Sequence, residues 1–181
     1  MARQAERAGR VIKSGHDFGR RRDQAREAVP AQQLIEAIWP LVNRQARKLG
    51  VSVRTSVEPD LPPALCDRTM VEQVLLNLAR NAMQAMDDPT IAPRVLDIRV
   101  RRAASNGHSG WLEFSVADGG SGIPEEVAKK LFTPFFTTRP EGMGLGLSMC
   151  RTVVEQHGGY FGFAPNEPRG TVFTFTLPVK I

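Results

Sequence analysis

Trp111-Leu-Glu-Phe-Ser-Val-Ala-Asp118-Gly-Gly-Ser-Gly122 begins as a strand, ends as a glycine-rich loop, and makes the change at a carboxylate. Leu112, Phe114 and Val116 alternate with more polar residues, the period of a strand with one buried face. Arg94 to Ala103 alternates in the same way just upstream, and Ser105-Asn-Gly-His-Ser-Gly110 between the two is rich in turn formers, so the pair reads as a hairpin.

Outward from the hairpin the pattern becomes helical. Asp67 is a candidate N-cap for a helix to about Met86, on which Val74, Leu75, Leu78 and Ala82 are apolar while Gln73, Asn77 and Asn81, spaced four apart, share another face. Ala31 to Leu49 is a second helix, ended by Gly50, with Pro40 expected to kink or locally break it. Val51 to Val57 reads as a strand and Pro62-Pro63 as a loop. Downstream come a short helix near Pro124 to Leu131, a helix from about Gly144 to His157, and strands near Tyr160 to Ala164 and Thr171 to Pro178. Residues 2 to about 27 read as a further helix with a thin apolar stripe, in need of a partner. This mixture implies an α+β sandwich, one sheet with helices on one face.

The 181 residues, 41% hydrophobic and 24% charged, suit one soluble domain with a real core and one appended element. No run approaches a membrane span and no apolar signal core opens the chain, so as it stands the chain is expected to be cytoplasmic. Cys66 and Cys150 are too few and too far apart for a disulfide framework or zinc site and read as buried reduced thiols. Of the net charge of +5, residues 1–29 carry +4, so the basic character belongs to one segment. A solvated helix face explains that better than a nucleic-acid-binding domain.

Three clusters carry chemistry. Uncharged amides such as Asn77 and Asn81 can bind Mg²⁺ through oxygen without adding negative charge beside a triphosphate. Asp118, at a strand end, can accept a hydrogen bond from an exocyclic amine, with glycines letting the backbone approach the ring. Gly142-Met-Gly144-Leu145-Gly146-Leu147 precedes a helix, so its N–H groups and the helix N-terminus suit phosphates. A Rossmann loop is the rival for that last run, but no βαβ alternation surrounds it and no Walker lysine follows.

In order and spacing, Gln73 to Asn81, Asp118 to Gly122, Gly142 to Leu147 and Gly170-Thr-Val-Phe-Thr-Phe resemble the N, G1, G2 and G3 boxes of the GHKL ATPases. Leu131-Phe-Thr-Pro-Phe-Phe-Thr-Thr-Arg139 resembles the F box of bacterial sensor histidine kinases, closest to the nitrogen-regulation and oxygen-sensing types. The resemblance covers roughly residues 30–181. It implies a Bergerat-type two-layer sandwich with a mixed, mostly antiparallel sheet, and a catalytic domain that uses ATP and Mg²⁺. By that resemblance Asn81 is the Mg²⁺ ligand and Asn77 a phosphate or outer contact. Asp118 with Gly120 and Gly122 reads adenine, supported by Thr171. Thr137 and Thr138 belong to the hinge of a short lid over roughly Gly122 to Gly142, and Gly142, Gly144, Leu145, Gly146 and Leu147 hold phosphates. Arg139 is the candidate γ-phosphate contact, where the most similar kinases often carry lysine. Glu72 is a candidate for a supporting role in phosphotransfer. The hydrolysing relatives place a glutamate where Asn77 stands, and an amide cannot act as general base.

Residues 1–29 resemble the end of a dimerisation-hairpin helix and its linker, which makes the chain an excerpt of a longer homodimeric kinase. The expected partners are that kinase's phosphoacceptor hairpin and a response regulator, with no nucleic acid and no membrane contact by this segment. None of His16, His108 and His157 has the acceptor's setting, and His157 reads as a helix C-terminal residue interacting with the dipole. The function implied is transfer of the γ-phosphate of ATP to a histidine outside this segment. The alternatives are a degenerate nucleotide-binding regulatory module and a hydrolysing ATPase of the same fold.

Overall fold

The computed structural model describes residues 26–103, 110–132 and 146–180. The elements run β1 (Arg26–Val29), α1 (Ala31–Leu49), β2 (Ser52–Val57), β3 (Ala64–Asp67), α2 (Arg68–Ala85), β4 (Val95–Arg102), β5 (Trp111–Ala117), α3 (Glu125–Ala128), α4 (Gly146–Gln156), β6 (Phe161–Pro165) and β7 (Thr171–Pro178). Five strands form one sheet in the order β2-β4-β5-β7-β6, and β1 and β3 form a separate two-stranded ribbon. Only β2 and β4 are parallel in the large sheet; β4–β5, β5–β7 and β6–β7 are antiparallel. The expected two-layer, mostly antiparallel sandwich is therefore what the chain forms.

The alternation along the strands explains the layers. Leu96, Ile98 and Val100 on β4, Leu112, Phe114 and Val116 on β5, and Phe173, Phe175 and Leu177 on β7 are all buried, while Arg99 and Arg101 face water. Phe114 and Phe175 are register partners whose rings stack at 4.8 Å. Each ring buried this fully contributes about 1.5–3 kcal/mol relative to exposure. Against this face pack α1, through Leu34, Ile35, Ile38 and Val42, and α2, through Val71, Val74, Leu75, Leu78 and Ala82. The Asp67 carboxylate accepts from Met70 N–H at 3.3 Å, so it caps α2 as expected.

Three local expectations need correction. Arg26 and Glu27, placed in the N-terminal helix by their spacing, lie in β1, which pairs with Glu27 opposite Cys66 and Val29 opposite Ala64. Backbone pairing with β3 outweighs a weak helical periodicity there, because four residues cannot complete an amphipathic face. The rest of that helix lies outside the described residues. β3 itself was hidden by its length and by the prolines before it. Finally, α1 is continuous through Pro40, since Glu36 and Pro40 both sit on its solvent side, where the carbonyl released by the proline can turn to water. Among the described residues no helix is long and apolar enough to cross a membrane.

Candidate active site

Asp118 leaves the end of β5 and is buried, at 4% exposure. One carboxylate oxygen, Oδ1, accepts from Gly120 N–H at 2.8 Å and from Thr171 N–H at 3.3 Å. In turn Asp118 N–H donates to the Thr171 carbonyl at 2.9 Å. Asp118 and Thr171 are therefore in contact, with the main chain of Thr171 supplying both of these bonds. A carboxylate gripped by backbone donors keeps one orientation.

The loop after Asp118 rests on α2. A Cβ at Gly120 would lie 2.6 Å from the carbonyl oxygen of Ala85, so only glycine lets this backbone approach the helix end. Gly119 N–H points at the Met86 sulfur at 3.5 Å. Gly122 takes a left-handed φ of 82°. Asn81 is one turn before Ala85 and Asn77 one turn before that, so the amide row and the Asp118 loop belong to one packed unit. Both asparagines are half-buried, whereas Gln73, at the open end of the row, is exposed.

Beneath Asn77 lies α4. The Asn77 side chain lies near the thiol of Cys150, whose sulfur is 3.9 Å from the Val74 carbonyl. Burial pushes the Cys150 thiol up to about 12, against the opposing effect of Asn77. Cys66 is likewise pushed up to about 12, first by burial and then by the negative charges of Asp67 and Glu27. Both cysteines are free and buried, the reduced thiols expected.

Gly146 and Leu147 form the first turn of α4 and are half-buried. A Cβ on Gly146 would meet no protein atom within 4 Å, so packing within the described residues does not demand glycine there. Thr137, Thr138, Arg139, Gly142, Gly144 and Leu145 lie outside the described residues, as do His16 and His108. Glu72 is half-buried on the row that continues through Leu76 and Arg80, turned roughly 140° from Asn77 by the helical repeat.

His157 is a joint between helices. Its Nε2 accepts from Asp67 N–H at 3.0 Å, so the proton sits on Nδ1 and is donated to the Val153 carbonyl at 2.7 Å. The ring does meet the last turn of α4, as expected of a C-terminal residue, but as a neutral imidazole tied to the N-cap of α2. Arg26 of β1 donates to the adjoining Gln156 carbonyl at 2.6 Å. Nothing in the histidine's sequence setting pointed to this link, because its partner is a main-chain N–H ninety residues away.

A depression of about 360 Å³ lies elsewhere, between α1 and α2, lined by Leu41, Val42, Arg44, Leu76, Arg80 and Met83 among others. Those α2 residues point roughly 100° away from Asn77 and Asn81, so this groove is not the site the motifs mark. Among the described residues no three His, Cys, Asp or Glu side chains form a metal cluster. The donors on the motif face are the asparagine amides, which suit Mg²⁺ arriving with most of its ligands supplied by phosphates and water.

A family model described as histidine kinase-, DNA gyrase B-, and HSP90-like ATPase matches residues 66–181. The chain belongs to this family, as a catalytic ATP-binding domain of the histidine kinase type. It is 39% identical to the C4-dicarboxylate transport sensor protein DctS of Rhodobacter capsulatus, over 99% of this chain and 26% of that protein. It is 35% identical to the sensor histidine kinase ZraS of Escherichia coli K12, over 100% of this chain and 37% of that protein. The chain thus spans about a quarter to two fifths of the length of these two relatives. Among solved structures, the nucleotide-free catalytic domain of histidine kinase ThkA superposes with a TM-score of 0.72 at 31% identity, covering 85% of this chain and 95% of that one. ThkA in complex with the response regulator protein TrrA gives a TM-score of 0.71 at 26% identity, covering 99% of this chain and 49% of that one.

The span matched by the kinase ATPase model opens at Cys66 in β3, one residue before the cap of α2, so β1 and α1 stand outside it. The motifs that carry the resemblance mark Asn77, Asn81, Asp118 and the glycines. They pass over Asn166, Arg169 and His157, whose side chains act on main-chain groups.

Proposed function

We propose that this kinase domain binds Mg-ATP on the face shared by α2, the Asp118 loop and the start of α4, and transfers the γ-phosphate to a histidine on the dimerisation hairpin of the same homodimeric sensor kinase. The observation that carries this is the Asp118 carboxylate, fixed by two backbone N–H groups on a loop packed against the helix that bears Asn77 and Asn81. In this reading Asp118 accepts from the adenine amine while Gly120 and Gly122 give the ring room. Asn81 ligates the metal of Mg-ATP and Asn77 orients phosphate or metal-bound water. Gly142, Gly144, Leu145, Gly146 and Leu147 present N–H groups to the phosphates, helped by the dipole of the eleven-residue α4. Thr137 and Thr138 serve the hinge of the lid, and Arg139 and Glu72 assist transfer. Residues 1–29 close the dimerisation hairpin and lead into the domain. A response regulator takes the phosphoryl group onward, a partner suggested by the ThkA–TrrA complex.

Asn77 favours transfer over hydrolysis. An amide cannot take a proton from water at neutral pH, so water attack on the γ-phosphate goes unassisted at this position. The expected result is that the 181-residue chain alone acquires no phosphate and hydrolyses ATP far below the roughly 10 per second of ordinary enzymes. A separately supplied hairpin carrying the acceptor histidine is labelled in its presence, slowly, because the tether's effective concentration is lost. The label is acid-labile and alkali-stable. Rapid hydrolysis, or label retained on the isolated chain at His16, overturns this reading.

The metal role is tested separately. Asn81→Ala is expected to remove about tenfold of the Mg²⁺-dependent gain in ATP affinity while leaving metal-free ADP binding nearly unchanged. Equal losses with and without Mg²⁺ in titration calorimetry assign Asn81 a structural role instead.

A further inference from the structure

The main chain of the Asp118 loop is satisfied by partners from several elements. Asp118 N–H bonds Thr171, Gly119 N–H meets the Met86 sulfur, and Gly120 N–H bonds the Asp118 carboxylate. The carbonyls of Asp118 and Gly120 are taken by side chains from the turn between β6 and β7. Asn166 Nδ2 donates to the Asp118 carbonyl at 2.7 Å, and Arg169 Nε donates to the Gly120 carbonyl at 3.1 Å. Both contacts bridge nearly fifty residues of sequence, and both lie upstream of the Gly170-Thr171 pair that the motif marks.

Asn166 is itself held in place. Its N–H donates to the Gly170 carbonyl at 3.0 Å and its Oδ1 accepts from Glu167 N–H at 3.0 Å, so its amide group is aimed before any nucleotide arrives. Arg169 reaches further, toward the turn after α2. There the Asp88 carboxyl is held below its usual value, chiefly by the N–H and hydroxyl of Thr90, with the charge of Arg169 adding to the effect. Gly170 completes the fit, because it crosses the Asp118 carbonyl too closely for any side chain. The loop is thus clamped between the C-terminal end of α2 on one side and Asn166, Arg169 and Gly170 on the other.

We infer that Asn166 and Arg169 are positioning residues for adenine nucleotide, setting affinity and base selectivity by holding the Asp118 and Gly120 carbonyls and so fixing where the Asp118 carboxylate points. The inference rests on the reading of Asp118 as the group that accepts from adenine. Neither side chain is required to touch the ligand. Without the Asn166 donor, the Asp118 carbonyl turns to water, the peptide planes on either side of it rotate, and the carboxylate leaves the line on which its acceptor strength is useful. Small displacements of an oriented group are costly in binding and catalysis.

The substitution that isolates this is Asn166→Asp, which keeps size and the Oδ1 acceptor and replaces the donor with an oxygen facing a carbonyl. With the protein as it stands, Asn166→Asp is expected to weaken Mg-ADP and Mg-ATP binding about five- to tenfold, and Arg169→Ala about threefold. In both, discrimination between ADP and GDP falls by a similar factor. In transfer to a separately supplied acceptor hairpin, KM for ATP rises with little change in kcat. The Gly120 amide resonance shifts in the ligand-free protein, while the melting temperature stays within a few degrees. Asp118→Asn is measured beside them. If Asp118→Asn leaves affinity unchanged, the adenine reading itself fails. If Asp118→Asn weakens binding while Asn166→Asp and Arg169→Ala leave affinity and base discrimination at the parent values, the clamp is overturned and the adenine reading stands. A melting temperature that falls sharply with base discrimination preserved also overturns it, by assigning the turn to stability alone.

Discussion

Asp118→Asn is expected to weaken ATP and ADP binding ten- to a hundredfold while leaving the domain folded. The asparagine oxygen can still accept from Gly120 N–H and Thr171 N–H, so the two bonds that orient the side chain survive the change. What is lost is the negative charge together with the second carboxylate oxygen, which becomes an NH2 that donates where an acceptor is needed. A hydrogen bond to an ionised group contributes about 1.5–3 kcal/mol, and each 1.4 kcal/mol is about tenfold in affinity. Titration calorimetry with a thermal melt of the same sample checks both halves. A folded Asp118→Asn protein that binds ATP as tightly as the parent removes Asp118 from the adenine site.

The layers of this fold were legible in the sequence wherever one face is buried and the other is not. Leu112, Phe114 and Val116 alternate because β5 packs on helices on one side and meets water on the other, and the same cause makes β4 and β7 readable. Asp67 was legible as a cap because capping depends on a side chain at one fixed offset from the helix. β1 and β3 were not, since four residues carry too little period and their pairing partners lie about forty positions apart in sequence. Pro40 misled because the proline rule is written for a carbonyl that must stay bonded, and on the outer side of α1 water can replace the bond.

The site divides along a similar line. Asp118, Asn77 and Asn81 are proposed from the sequence because the chemistry of nucleotide and metal binding would call for those side-chain types. Asn166 and Arg169 could not be proposed in this way, because a carbonyl accepts from many donors and so leaves no fixed residue type in the sequence. The glycines fall between the two. The pattern around Asp118 skips Gly119 and marks Gly120, and the geometry gives the reason: a Cβ on Gly119 meets nothing within 4 Å, whereas one on Gly120 runs into α2.

That contrast sets up the largest effect on stability. Gly170→Ala places a Cβ across the Asp118 carbonyl, 2.7 Å from its carbon and 2.9 Å from the Cα of Gly119, on a residue whose φ is 107°. The neighbours are backbone, held by Thr171 and Asn166, so they cannot swing aside as a flexible side chain would. Overlap and an unfavourable backbone angle together cost on the order of 3 kcal/mol or more. At roughly 2–4 °C per kcal/mol for a chain of this size, the melting temperature is expected to fall by about 6–12 °C. Nucleotide affinity falls with it, because the atoms displaced carry the Asp118 carboxylate. Gly119→Ala is the control: with open space around its Cβ and no positive φ, it should melt within about 1–2 °C of the parent. A Gly170→Ala protein that melts with the control would mean that the turn yields without cost, and that the grip on the Asp118 loop is looser than its short contacts imply.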